Sequence, residues 1–170
     1  MKEIAIKETL TVKTSHVFPP DTNNHGTLFG GKLMSYIDDV ASISAMRLSR
    51  SPVVTASTDS VDFLAPIKKE ESVCLESFVT WTGTSSMEVF VKVLAENLFT
   101  GKRTIAATAF LTFVALDDDG KPARVPNVIP DTEEEKYLNR TAEDRVKTRK
   151  QRKKASQELA SFLDMDKPWE

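Results

Sequence analysis

The chain has 170 residues, 40% apolar and 28% charged, with a formal net charge of −2. That length and balance fit one globular domain, alone or with an appendage, and exclude global disorder. The longest apolar run falls well short of the ~18 residues that cross a bilayer. The opening MKEIAIKETL lacks a secretory h-region, and a lone Cys74 forms no internal disulfide, so the reading is a soluble, cytoplasmic protein.

Residues 4–17 carry β-branched residues in partial alternation and predict a first strand. FPPDTNNHGTLFGG, residues 18–31, is dense in Pro, Asp, Asn and Gly and predicts an ordered loop. Apolar positions 33, 37, 40, 41 and 48, with Ser44 on the same stripe, predict a helix over 32–50. Arg47 and Arg50 suit its C-terminus, and Pro52 stops it. Strands follow at 53–63, 72–82, 86–96 and 104–116, separated by turns at Pro66–Ile67 and KKEE, Thr82–Gly83, Thr100–Gly101 and Asp117–Gly120. The second of these places Val73, Leu75, Val79 and Trp81 on one face with Ser77. The third sets Met87, Val89, Val91, Val93 and Ala95 against Glu88, Lys92 and Glu96 on the opposite face. One helix and a mostly antiparallel sheet give an α+β fold with the sheet wrapped round the helix.

Past Pro130 the composition changes. Residues 131–170 hold ten acidic and ten basic side chains and little that could form a core. The division is therefore a domain over 1–130 and a charged helical extension over 131–170. Asp131 or Thr132 caps the extension's helix. Its RVKTRKQRKK, residues 145–154, reads as a solvated helical face.

Chemistry is restricted by what is missing. His16 and His25 are the only histidines, no Cys/His spacing suits zinc, and the Walker, GxGxxG and GxSxG patterns do not occur. The unusual segment is DTNNHGTLFGGKLMSYIDDVA, residues 21–41. Gly30 and Gly31 before a helix leave N–H groups that can receive an anion or a developing oxyanion, or simply let the helix approach a sheet. At ~100° per residue Asp38 borders the apolar stripe, whereas Asp39 points away with Lys32 and Ser35. A partly desolvated Asp38 would suit a base, or a polar contact between subunits. Asp38 lies ~12 Å along the axis from Gly30, too far for both to meet one carbonyl from the same helix. If both act, the site is shared by a two-fold dimer. Asn23, Asn24 and His25 are turn residues by default, and an asparagine amide there could orient a water. Cys74 reads as strand packing.

PPDTNNHGTLFGGKLMSYIDDVA, VVTASTDSVDF, SSMEVFVKVLAENLFTG, AFLTFVAL and VPNVIPDTEEEK together resemble the hotdog-fold acyl-CoA thioesterases, in their brain-type and bacterial single-domain forms. The resemblance implies a curled antiparallel sheet round a long central helix, and dimers assembled as trimers of dimers. It implies hydrolysis of acyl-CoA to fatty acid and CoA, with Asp38 of one protomer acting on a thioester held by the partner's Asn23 and the Gly31 N–H. Asn24 and Gly30 lie beside that centre. It also places CoA contacts near Thr84, Ser85 and Ser86 and along the strand holding Thr55 and Ser57. Arg50, Lys102 and Arg103 are candidate phosphate partners. No metal or separate cofactor, no nucleic acid and no membrane are expected. The competing readings are an acyl-CoA sensor without turnover, nucleic-acid binding through RVKTRKQRKK, which the net charge disfavours, and a dehydratase using His25.

Overall fold

The computed structural model describes residues 3–169. Its elements in chain order are β1 (Glu3–Ala5), β2 (Thr11–His16), α1 (Gly30–Ser49), β3 (Val53–Phe63), β4 (Glu71–Thr82), β5 (Ser86–Asn97), β6 (Arg103–Ala115), β7 (Asn127–Ile129), α2 (Glu133–Arg140) and α3 (Ala142–Phe162). A five-stranded antiparallel sheet runs in the order β2-β4-β5-β6-β3, and β1 pairs in parallel with β7.

Helix α1 buries Leu33, Ile37, Val40, Ala41, Ser44, Ala45 and Leu48, the predicted stripe. The inner sheet face meets it with Val73, Leu75, Val79, Met87, Val89, Val91 and Val93, all fully buried. Each such side chain stabilises the fold by roughly 1.5–3 kcal/mol through removal from water. One polar seam interrupts this core. Ser77 Oγ donates to the Val40 carbonyl at 2.9 Å and lies 2.5 Å from Ser44 Oγ, which lies 3.0 Å from Thr11 Oγ1. The helix starts two residues before the predicted boundary because Gly30 and Gly31 leave no periodic mark. It ends at Arg50, in the left-handed region at φ 55°, whose N–H donates to the Met46 carbonyl at 2.9 Å.

Four expectations need correction. The first strand is two, broken by a 3₁₀ turn over Ile6–Thr9 that buries Ile6 against the outer sheet face with Phe78 and Phe90. Trp81 leaves the face of Val79. A bulge between them pairs Val79 with Val89 but Trp81 with Glu88, turning the indole outward. Glu88, on the polar face of β5, is fully buried. The extension is solvated only in part: every described residue from Lys150 on is exposed, but Glu135, Leu138 and Ala142 are buried. Thr132, not Asp131, caps α2 in a capping box with Glu135, and Leu138 joins the outer cluster of Ile6, Phe78 and Phe90.

Helix α3 is held on the outer sheet face by arginines. Arg145 donates through Nε and Nη2 to Glu88 Oε1 at 3.1 and 2.8 Å, and its guanidinium stacks over Phe110 at 4.3 Å. Arg149 Nη1 lies 3.3 Å from Asp59 Oδ2 and 3.6 Å from Glu88 Oε2. Arg152 donates to the Asp59 carboxylate, to its carbonyl at 2.7 Å and to Ser57 Oγ at 2.8 Å. Positions 145, 149 and 152 share one helical face, so a single side of α3 docks.

Candidate active site

Asp38 sits on the side of α1 that faces β3, where Thr55 Oγ1 donates to its Oδ1 at 2.9 Å. Both side chains are exposed in the single chain. The expected partial burial of Asp38 is therefore absent, because its side of α1 meets the open rim of the sheet and not the core. Asp39 is, as expected, a surface charge, paired with Lys13 at 2.6 Å. Strand β3 is an edge: β6 covers one side, and among the described residues no strand pairs with the other. An edge of that length is a template for a second chain.

Asn23 ties its own loop. Its Oδ1 accepts from the His25 N–H at 2.9 Å and the Thr27 N–H at 3.3 Å, while its Nδ2 donates to Thr27 Oγ1 at 2.9 Å. That fixes the asparagine at the mouth of a cleft of about 440 Å³, lined also by Gly30, Leu28, Leu33, Phe63 and Pro66. The Gly30 and Gly31 N–H groups find no acceptor among the described residues, as the first turn of a helix requires. A Cβ on Gly31 would lie 2.6 Å from the Phe29 ring, so glycine lets that ring fold over the helix start. No carboxylate lines this cleft. The predicted catalytic residues thus fall into two groups within one chain, Asn23 with Gly30 and Asp38 with Thr55. Gly31 lies at the first group's edge, and Asn24 is exposed without a partner among the described residues.

A second cleft, of about 700 Å³, lies on the outer face between α3 and the β4–β5 turn. It gathers Ser57, Thr84, Ser85 and Ser86 as expected, and adds Trp81 and the cations of α3. A bulge between Thr55 and Ser57 separates the two strand residues: Thr55 pairs with inward Phe113 and Ser57 with outward Thr112. Thr55 therefore serves Asp38, not this cleft. Arg50 caps α1, Arg103 pairs with Glu76 and Glu96, and neither they nor Lys102 line either cleft. His25 is exposed in its turn.

Residues 25–98 match the thioesterase superfamily. Over 163 residues, 96% of this chain and 95% of its counterpart, the sequence is 68% identical to the uncharacterized acyl-CoA thioester hydrolase YkhA of Bacillus subtilis. The chain belongs to the acyl-CoA thioester hydrolases.

Among solved structures, this thioester hydrolase is similar to an apo-hexameric acyl-CoA thioesterase, with 49% identity and a TM-score of 0.87, covering 89% of this chain and 97% of that one. It is also similar to the Staphylococcus aureus acyl-CoA hydrolase bound to butyryl-CoA, CoA and CoA disulfide, with 46% identity and a TM-score of 0.92, covering 95% and 99%. Alanine variants of that S. aureus protein replace an asparagine, an aspartate 15 residues later and a threonine 17 beyond it. The hotdog architecture read from the sequence is that of these thioester hydrolases. What the sequence reading missed is the contribution of α3 to the outer cleft. The signal was the 145, 149, 152 spacing inside the basic run, which puts three arginines on one face.

Proposed function

We propose that the chain hydrolyses acyl-CoA to a carboxylic acid and CoA, using Asp38 and Thr55 of one protomer with Asn23, Gly30 and Gly31 of its partner. The observation that carries the shared site is the separation of the two groups: the cleft with the amide and free N–H donors contains no carboxylate, and the carboxylate stands at an unpaired sheet edge. The spacing of Asn23, Asp38 and Thr55 equals that of the three residues replaced in the S. aureus protein, which favours Asn23 over Asn24. Thr55 orients the carboxylate, and Asp38 takes a proton from water as its oxygen attacks the thioester carbonyl. The N–H of Gly31 stabilises the oxyanion, and collapse breaks the C–S bond, with the thiolate leaving to be protonated.

A second copy pairing along β3 would cover Asp38 and bring the partner's cleft to it. A homo-oligomer built on such dimers, as trimers of dimers, is the assembly we propose, in line with the hexameric thioesterase. The residues named complete the chemistry with carboxylate, amide and backbone N–H alone, so we propose a reaction without metal or separate cofactor. No described helix is long and apolar enough to cross a membrane, and we propose a cytoplasmic location.

The test is thiol release from acyl-CoAs of short, medium and long chain by the wild type and D38N. The proposal expects release by the wild type and a loss of at least about a hundredfold in the folded variant. Tight acyl-CoA binding without release would instead make the protein a sensor.

A further inference from the structure

Helix α3 crosses the sheet instead of following a strand. Near its start Arg145 reaches Glu88 on β5 and the Phe110 ring on β6. Farther on, Arg152 reaches Ser57 and Asp59 on β3. Strands β5, β6 and β3 are successive neighbours in the sheet, and β3 is its edge. From Arg145 to Arg152 a helix advances about 10 Å, which is also about two strand spacings. The axis therefore runs nearly at right angles to the strands, toward the open edge. Residues 153–162 carry it about 15 Å farther, and every one of them is exposed.

The docking face changes character at that point. Positions 145, 149 and 152 meet the sheet, and steps of four and three continue the same face through Ser156, Leu159 and Leu163. Phe162 stands beside Leu159 and completes an apolar patch at i, i+3 and i+4. Leu159 is 59% exposed, Leu163 61% and Phe162 86%. The other sides of the same turns carry Lys154, Gln157 and Glu158. The face is thus charged where it rests on Glu88 and Asp59, and apolar where it has left the sheet. A large apolar patch on the side that faces a sheet marks an interaction surface.

Position says what covers it. A second chain paired along β3 continues the sheet in the direction that α3 already follows. The projecting turns then land on the outer face of the added strands. That face is receptive, since Val54, opposite the outward Val114, is half-exposed.

We propose that the distal half of α3 is an arm that crosses the dimer boundary at β3 and seats Leu159, Phe162 and Leu163 on the outer sheet face of the partner chain. This rests on the edge pairing of the function proposed above. Each chain gives one arm and receives one, as two-fold symmetry requires. The dimer that shares Asp38 and Asn23 is thereby clasped from its outer side.

The experiment places a photoreactive benzophenone side chain at position 159, 157 or 54 of the full chain. Isotope-heavy and isotope-light chains are mixed by refolding, irradiated and mapped by mass spectrometry. The probe at 159 is expected to join heavy to light chains through residues of β3 or β6, and the probe at 157, on the opposite side of the helix, to form few such links. Links from 159 that stay within one chain, fall elsewhere on a second chain, or are matched by those from 157 would overturn the arm. Inter-chain links from 54 without any from 159 would refute the arm and leave the edge pairing standing, whereas none from either would refute both. In parallel, L159E/L163E should raise the chain concentration at which the assembly half-dissociates in sedimentation by at least about tenfold, with the circular dichroism spectrum unchanged. Unchanged dissociation would contradict the proposal.

Discussion

Replacing Glu88 with alanine removes the anchor that α3 and the sheet share. The carboxylate is fully buried in β5, accepts from Thr80 Oγ1 at 2.8 Å and from two nitrogens of Arg145, and faces Arg149 at 3.6 Å. Taking one partner from a buried ion pair costs about 3–5 kcal/mol, since the remaining charge stays desolvated and unpaired. The low end applies here. Arg145 keeps Thr141 Oγ1 at 2.7 Å, the Leu138 carbonyl at 2.5 Å and the Phe110 ring, and Arg149 keeps Asp59. About 3 kcal/mol in a chain of this size lowers Tm by about 6–12 °C. The assay is thermal melting by circular dichroism at matched chain concentration, because assembly shifts Tm by mass action. The double variant E88M/R145M should recover more than half of the loss, because apolar side chains of similar size can replace a buried pair. A Tm for E88A within about 2 °C of wild type would refute the view that this network pins the helix.

Thr55→Val removes the hydroxyl that orients Asp38, and kcat should fall about tenfold with KM little changed, whereas Thr55→Ser should stay near wild type; steady-state kinetics decide, and an unaffected kcat in the valine variant would contradict the orienting role. Lys92 bridges Glu76 at 2.9 Å and Glu134 at 3.2 Å, tying α2 to the sheet. Burial lowers its proton affinity, but the two carboxylates outweigh that and raise its pKa above the ordinary 10.5. The folded state thus binds this proton more tightly, so the stabilisation is complete below the ordinary value and is lost as pH climbs through the raised one. Lys92→Met should accordingly melt lower than wild type at pH 8, with the gap closing in strongly alkaline buffer; a gap independent of pH would argue for lost packing instead. Thiol release should survive exhaustive dialysis against EDTA, and activity lost there and restored by a divalent cation would overturn the metal-free proposal.

The inner half of the fold was legible because each element there has one buried face. The stripe from Leu33 to Leu48 and the alternation from Met87 to Ala95 record the same core from two sides. The outer face was not legible, because charge there marks burial. Glu88 read as a position on a polar face and Asp59 carried no signal of its own, and their counter-charges lie 57 and 90 residues later. No local period links such pairs. The bulges beside Trp81 and Ser57 were equally hidden, since a single extra residue inverts the face while leaving the composition of the strand unchanged. In the candidate site, Asp38 and the glycine pair stood out through helical angle and residue type, whereas Asn23 was a turn residue by default and was singled out by the family resemblance alone. The Asp38–Thr55 bond needed the strand placed beside the helix.

The central claim is a site divided between two chains, and subunit mixing tests it most directly. D38N and N23A are each expected to be nearly inactive in thiol release. Unfolded together in equal amounts and refolded, they should recover about a quarter of wild-type activity per chain, since half the dimers are mixed and each mixed dimer rebuilds one of its two sites. A mixture no more active than its parents would place Asp38 and Asn23 in the same chain's site and contradict the account.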